Sequence, residues 1–272
     1  MSDQAEALSE RLSHWDDIQK LPDGDISKSE IRDLNIYKGQ SGICRDDSGI
    51  CISILNTGKH YPDDIFDGGV LYHYPNTQRP GQHDINEINS VKECASQGLP
   101  LFVILPGNNS TKRKIRLGWV EDFDDNSEQF LIRFGDSEPK PIPRQEEEFI
   151  TKEKRKKKSR EVEVRSNNQS KFRFDVLKRY GAKCAICDIK NKHMLDAAHI
   201  IPVDEDGPDD PRNGLILCKN HHAAFDRNLF AINPNDYSID ALDNNINISE
   251  AKLNTETGLM PHEVAIDYRF KA

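Results

Sequence analysis

The 272 residues carry 37 Lys and Arg against 46 Asp and Glu, a net charge of −9. The length suits two ordinary domains with cores of their own, and so negative a total argues against a uniformly basic nucleic-acid binder. No apolar run approaches the roughly 20 residues of a bilayer span, and the polar, acidic start (MSDQAEALSERLSHWDD) does not read as a secretory signal. A cytoplasmic protein with no membrane partner is therefore expected.

Charge is unevenly spread. Residues 1–150 hold 16 basic and 27 acidic side chains, residues 151–173 hold 10 and 3, and residues 174–272 hold 11 and 16. A basic segment joins two acidic blocks.

Residues 4–20 place Leu8, Leu12, Trp15 and Ile18 at helical spacing, so residues 1–27 read as an amphipathic helix ended by LPDG. From residue 28 to residue 150 short apolar runs (ICISIL, GVLYHY, PLFVIL, IRLGWV, QFLIRFG) alternate with Gly, Asp, Asn and Pro clusters, the texture of strands and turns. One helix, near Asp84 to Gln97, interrupts them. The expectation is a curved sheet or barrel with few helices. Cys44, Cys51 and Cys94, scattered through it, read as buried reduced thiols.

Residues 151–170 (TKEKRKKKSREVEVRSNNQS) lack an apolar period and read as a basic linker. Lys154, Arg155, Lys156, Lys157 and Lys158 within it are either solvated or phosphate contacts. Residues 171–272 form the last segment. It opens with a helix (FRFDVLKRYG) closing at Gly181 and ends in HEVAIDYRF, a final helix. The fold class expected overall is α+β.

Between these helices, Cys184-x-x-Cys187 and Cys218-x-x-His221 make two ligand knuckles about 30 residues apart. Thiolate and imidazole at such gaps suit tetrahedral zinc. All four positions would be filled by protein, so the site is structural. His199, Asn213 and His222 are then left over. His199 ends the run DAAHIIP, Asn213-Gly214 opens NGLILC, and His222 follows the ligand His221 on a helix. The order strand, loop, strand, helix predicts a zinc-stapled ββα-metal finger.

Here the chain resembles the HNH nucleases, from Tyr180 to Ile232, through CxxC, AHIIP, NGLxLC and HHxxFD. The resemblance implies that His199 is the general base that deprotonates the attacking water. It implies that Asn213 holds the loop and that His222 ligates a catalytic divalent cation, Mg²⁺ or Mn²⁺. Such hydrolysis needs a base near neutral pKa and a cation at the phosphate. Asp226, one turn beyond His222, is a candidate to share the cation. Many members carry an acidic residue or histidine just before the base. Here Ala198 stands there, and Asp196 and Asp226 are the nearest substitutes.

A second resemblance covers Ser41 to Pro75 (SGICRDDSGICISILNTGKHYPDDIFDGGVLYHYP), which is similar to the SRA (YDG) domains that flip a modified cytosine out of the duplex. It implies that Tyr61 and Tyr74 sandwich the base and that Asp64 accepts from its exocyclic amine. Aromatic faces would then replace the lost stacking. Together the two resemblances imply a modification-dependent, type IV-like restriction endonuclease. Its partner would be double-stranded DNA containing 5-methylcytosine or 5-hydroxymethylcytosine, and one HNH site per chain suggests a homodimer. The alternatives are an HNH nicking or homing-type nuclease reading unmodified sequence, and a zinc module that binds DNA without cutting.

Overall fold

The structure is a computed structural model and describes residues 3–37, 42–56, 65–66, 68–77, 79, 81–138, 149–152, 167–243 and 245–271. The chain divides into two units, one of Met1–Phe123 with Glu128–Ile142, the other of Asp124–Ser127 with Pro143–Ala272. The fold is mixed α+β, as expected.

In the first unit the described elements are α1 (Asp3–Ile18), β1 (Ile26–Ser27), α2 (Lys28–Asp33), β2 (Ile43–Arg45), β3 (Cys51–Leu55), β4 (Ile65–Phe66), β5 (Gly69–His73), α3 (His83–Ser96), β6 (Leu101–Pro106), β7 (Lys112–Asp124) and β8 (Gln129–Phe134). They build one sheet in the order β2-β3-β6-β7-β8-β5-β4, with β1 added to β7. β3 and β6 run parallel, Ser53 opposite Phe102, whereas β6 and β7 run antiparallel, Leu101 opposite Gly118.

The place of β6 inside the sheet, between β3 and β7, explains the apolar run LFVIL. Leu101, Val103 and Leu105 enter one core with Val91 and Cys94 of α3. Phe102 and Ile104 enter the other with Ile18, Ile26 and Ile31. A strand covered on both faces shows no polar alternation. Each fully buried side chain of this size contributes about 1.5–3 kcal/mol.

The expected N-terminal helix, α1, packs into these cores and belongs to the first unit. Leu12, Trp15 and Ile18 lie on one core, and Ala7 and Leu8 on the other. Its Arg11 is 3% exposed. The guanidinium donates to the carbonyls of Cys51 and Pro100, each at 2.7 Å, and to Asp46 Oδ2 at 2.9 Å. Cys44, Cys51 and Cys94 are buried thiols of this unit.

The second unit holds α4 (Asn167–Tyr180), β9 (Leu195–His199), β10 (Gly214–Cys218), α5 (Lys219–Asp226), β11 (Phe230–Ile232), β12 (Ile239–Ala241) and α6 (Glu263–Lys271). α4 starts at Asn167, four residues before the boundary read from composition, because its first turn is polar (NNQS). It stops where expected, Gly181 taking φ +81° and donating its N–H to Leu177 O at 2.8 Å. β9 and β10 form an antiparallel hairpin with His199 opposite Gly214 and Leu195 opposite Cys218. Phe172, Val176, Leu177, Leu215, Leu217 and Phe225 fill the core around it.

Candidate functional site

The cysteine knuckles lie at one end of the hairpin. Cys184 N–H donates to Ile189 O at 2.9 Å, closing the first knuckle, and Ala185 N–H donates to Ile216 O at 2.8 Å, tying that knuckle to β10. Cys218 ends β10 and is the N-cap of α5, so the first turn of that helix brings His221 back toward it. The ligand atoms of Cys184, Cys187, Cys218 and His221 all lie within 4.8 Å of one another, and all four residues are buried. His221 Nδ1 is 3.2 Å from Cys218 Sγ and 3.5 Å from Cys184 Sγ. A tetrahedral zinc with ordinary bond lengths separates sulfur and nitrogen ligands by about 3.5 Å.

The surroundings fit the same metal. His221 Nε2 is 2.9 Å from Asn247 O, and a proton held there leaves Nδ1 as the ligand nitrogen. The three cysteines would bind as thiolates, giving up their protons as the metal enters. Cys184, Cys187, Cys218 and His221 would hold the ion.

The far end of the hairpin carries His199. Its ring lies flat on Phe172 of α4, with centroids 3.7 Å apart and planes 12° apart. Space for that stack depends on Gly214, whose added Cβ would overlap Val176 Cγ2 and come within 3.0 Å of Phe172 Cζ. Asn213 is fully buried. Its Oδ1 accepts from Ile201 N–H at 2.9 Å, and its Nδ2 donates to Pro208 O at 3.0 Å and to Ile201 O at 3.2 Å. Asn213 thus spans both sides of the loop between the strands.

Sequence reasoning missed Asp209. Its Oδ1 is 2.9 Å from His199 Nε2, and the two side chains are 14% and 12% exposed. The signal was present as the acidic run DEDGPDD, but composition cannot tell which of its carboxylates the loop turns toward the histidine.

His222, on α5, lies between two carboxylates. Nδ1 is 3.4 Å from Asp196 Oδ2 of β9, and Nε2 is 3.7 Å from Asp226 Oδ2. The hydrogen bond with Asp196 raises the His222 pKa and lowers that of Asp196. Carboxylates and imidazole are both ligand types for divalent metal ions, and His222, Asp196 and Asp226 are the residues here that could hold one. Ala198, before the histidine of β9, is fully buried and supplies no ligand atom.

In the first unit, Tyr74 is half-buried against Phe130, with centroids 4.5 Å apart, and Lys92 Nζ stands 5.6 Å over its ring. Tyr61, Asp64 and Lys154, Arg155, Lys156, Lys157 and Lys158 lie outside the described residues. Among the described residues no helix is long and apolar enough to cross a membrane.

Residues 184–233 match the family model described as HNH endonuclease, so the chain carries an HNH endonuclease domain there. No curated protein matches. Among solved structures, the modification-dependent TagI restriction endonuclease is 18% identical, with 91% of each chain covered and a TM-score of 0.37. The SUVH5 SRA domain in complex with hemi-methylated CG DNA is 19% identical over 45% of this chain and 96% of that one, at a TM-score of 0.32. The type IV phosphorothioation-dependent restriction endonuclease ScoMcrA is 16% identical over 69% of this chain and 48% of that one, at a TM-score of 0.29.

Proposed function

We propose that this chain is a modification-dependent restriction endonuclease, in which the first unit reads a modified cytosine in duplex DNA and the HNH domain hydrolyses a phosphodiester. The observation that carries the cutting half is the hairpin and helix that set out His199, Asn213 and His222 inside the segment matched as HNH endonuclease.

His199 takes a proton from water, whose oxygen bonds to phosphorus. The bond from phosphorus to the leaving sugar oxygen breaks, that oxygen takes a proton from solvent, and the imidazolium returns its own. Asn213 ties the loop on which the base depends. A Mg²⁺ or Mn²⁺ held by His222 with Asp196 or Asp226 would supply charge stabilisation at the phosphate. Cys184, Cys187, Cys218 and His221 would hold a zinc that staples the hairpin to α5 and would take no part in the reaction.

The reading half is supported by the order of residues from Ser41 to Pro75. In it Tyr61 and Tyr74 face the flipped base, Asp64 accepts from its amine, and Lys154–Lys158 contact phosphates. Two copies of the chain would cut the two strands. The enzyme would work in a prokaryotic cytoplasm. One observation favours the alternative, an HNH nuclease reading unmodified sequence. Tyr74 already spends ring surface on Phe130, which leaves less of it for a base.

The test is a digest of plasmids that differ only in cytosine modification (none, 5-methyl or 5-hydroxymethyl), with Mg²⁺ or Mn²⁺. Cleavage confined to a modified plasmid is expected. Equal cutting of all three would leave the nuclease and remove the reader.

A further inference from the structure

We propose that Asp209 is the positioning residue of this active site. Its carboxylate accepts the Nε2–H of His199 and holds the imidazole in the tautomer whose Nδ1 lone pair receives the proton from water. This rests on the reading of His199 as the general base.

Three features of the fold place the carboxylate. The contact is 2.9 Å between two side chains that are both close to buried, so water competes weakly for it. The loop bearing Asp209 is tied on each side. Asn213 Nδ2 donates to Pro208 O at 3.0 Å, and Asn213 N–H donates to Asp210 O at 2.8 Å. Asp210 is further braced by Arg212, whose Nη2 donates to Asp210 Oδ2 at 2.6 Å. Finally, the imidazole cannot tilt away, because Phe172 stacks on its face. Asn213 therefore serves the chemistry through Asp209, by fixing the loop that carries the carboxylate.

A carboxylate behind a catalytic imidazole selects one tautomer, aligns the ring and stabilises the imidazolium formed as the proton arrives. Replacing such an Asp by Asn costs up to about 10⁴-fold in kcat by favouring the wrong tautomer.

The experiment uses the full, zinc-loaded chain. Long-range ¹H–¹⁵N correlation spectra of ¹⁵N-histidine-labelled protein report each imidazole tautomer, and His199→Ala identifies the resonance. Wild type is expected to show neutral His199 as the Nε2–H form. Asp209→Asn and Asp209→Ala should lose that single-tautomer signature and lower kcat by about 10²-fold or more, with KM and zinc content near wild type. Asp209→Glu should recover part of the rate.

An Nδ1–H tautomer in the wild type overturns the proposal without recourse to any variant. So does an Asp209→Ala enzyme, folded and zinc-loaded, that cuts at the wild-type rate. A His199→Ala enzyme that still cuts at the wild-type rate would instead remove the general-base reading, so the two failures are distinct.

Discussion

Asp46 shows how one buried arginine shapes its neighbours. Burial works against its charge, but hydrogen bonds from Ser48 and Ile50 N–H and the Arg11 guanidinium outweigh it and hold its pKa below the usual carboxylate value. The unfolded chain titrates near the ordinary value of about 3.9. With the folded value lower, the stabilisation is complete above that pH and is lost as the pH falls through the folded value. Urea unfolding of wild type and Asp46→Asn should therefore show a gap at pH 7 that closes below about pH 4. Arg11→Ala should cost about 3 kcal/mol or more at neutral pH, since Asp46 and two buried carbonyls lose their donor together. At the other end of the chain, His199→Ala should lower cleavage about 10²–10⁴-fold while zinc content and DNA affinity stay near wild type. Single-turnover cleavage and a binding curve at one fixed salt concentration check the two halves of that expectation.

Among the elements, the hairpin of β9 and β10 depends on what it lacks at Gly214. A methyl group there would overlap Val176 and press on Phe172, so α4 would have to lift from the sheet. Gly214→Ala should destabilise the second unit by about 1–3 kcal/mol, the range for overpacking a core. It should also impair cleavage beyond that loss, because Phe172 is the platform for His199. Thermal unfolding together with the rate measured well below the melting range separates the two effects. Helix α2 is a smaller case. Ser27 Oγ accepts from Glu30 N–H, and Glu30 Oε2 accepts from Ser27 N–H. Ser27→Ala should cost about 1 kcal/mol.

For the whole molecule, the knuckles make one unit depend on metal. Both tryptophans, Trp15 and Trp119, belong to the first unit. Stripping zinc with a strong chelator, or Cys218→Ser, should unfold the second unit, because binding energy in small zinc modules is largely folding energy. Far-ultraviolet circular dichroism should fall while tryptophan emission stays native. Elemental analysis should give one zinc per chain before treatment. A chain free of zinc with unchanged dichroism would refute the knuckle assignment.

The features legible in the sequence were those set by local chemistry. Periodicity marked α1, the run LFVIL marked a strand, and Gly181 marked the end of α4, whereas the burial of that strand on both faces came only from the structure. The spacing of Cys184, Cys187, Cys218 and His221 named the four residues that the structure gathers, since two-residue gaps bring ligands together within one turn. α2 carries a local mark of the same kind, the Ser27-x-x-Glu30 box. What only the tertiary structure decided were contacts between segments distant along the chain or separated by a loop. Arg11 meets carbonyls about 40 and 90 positions away. His199 lies on Phe172 from a separate helix, and Asp209 was chosen from an acidic run by the course of the loop between Ile201 and Asn213. Local preferences act over a few residues, so they specify elements and short-range ligand pairs. Which carboxylate reaches which imidazole depends on how a hairpin, a loop and a helix pack together, and that geometry is absent from any window of the sequence.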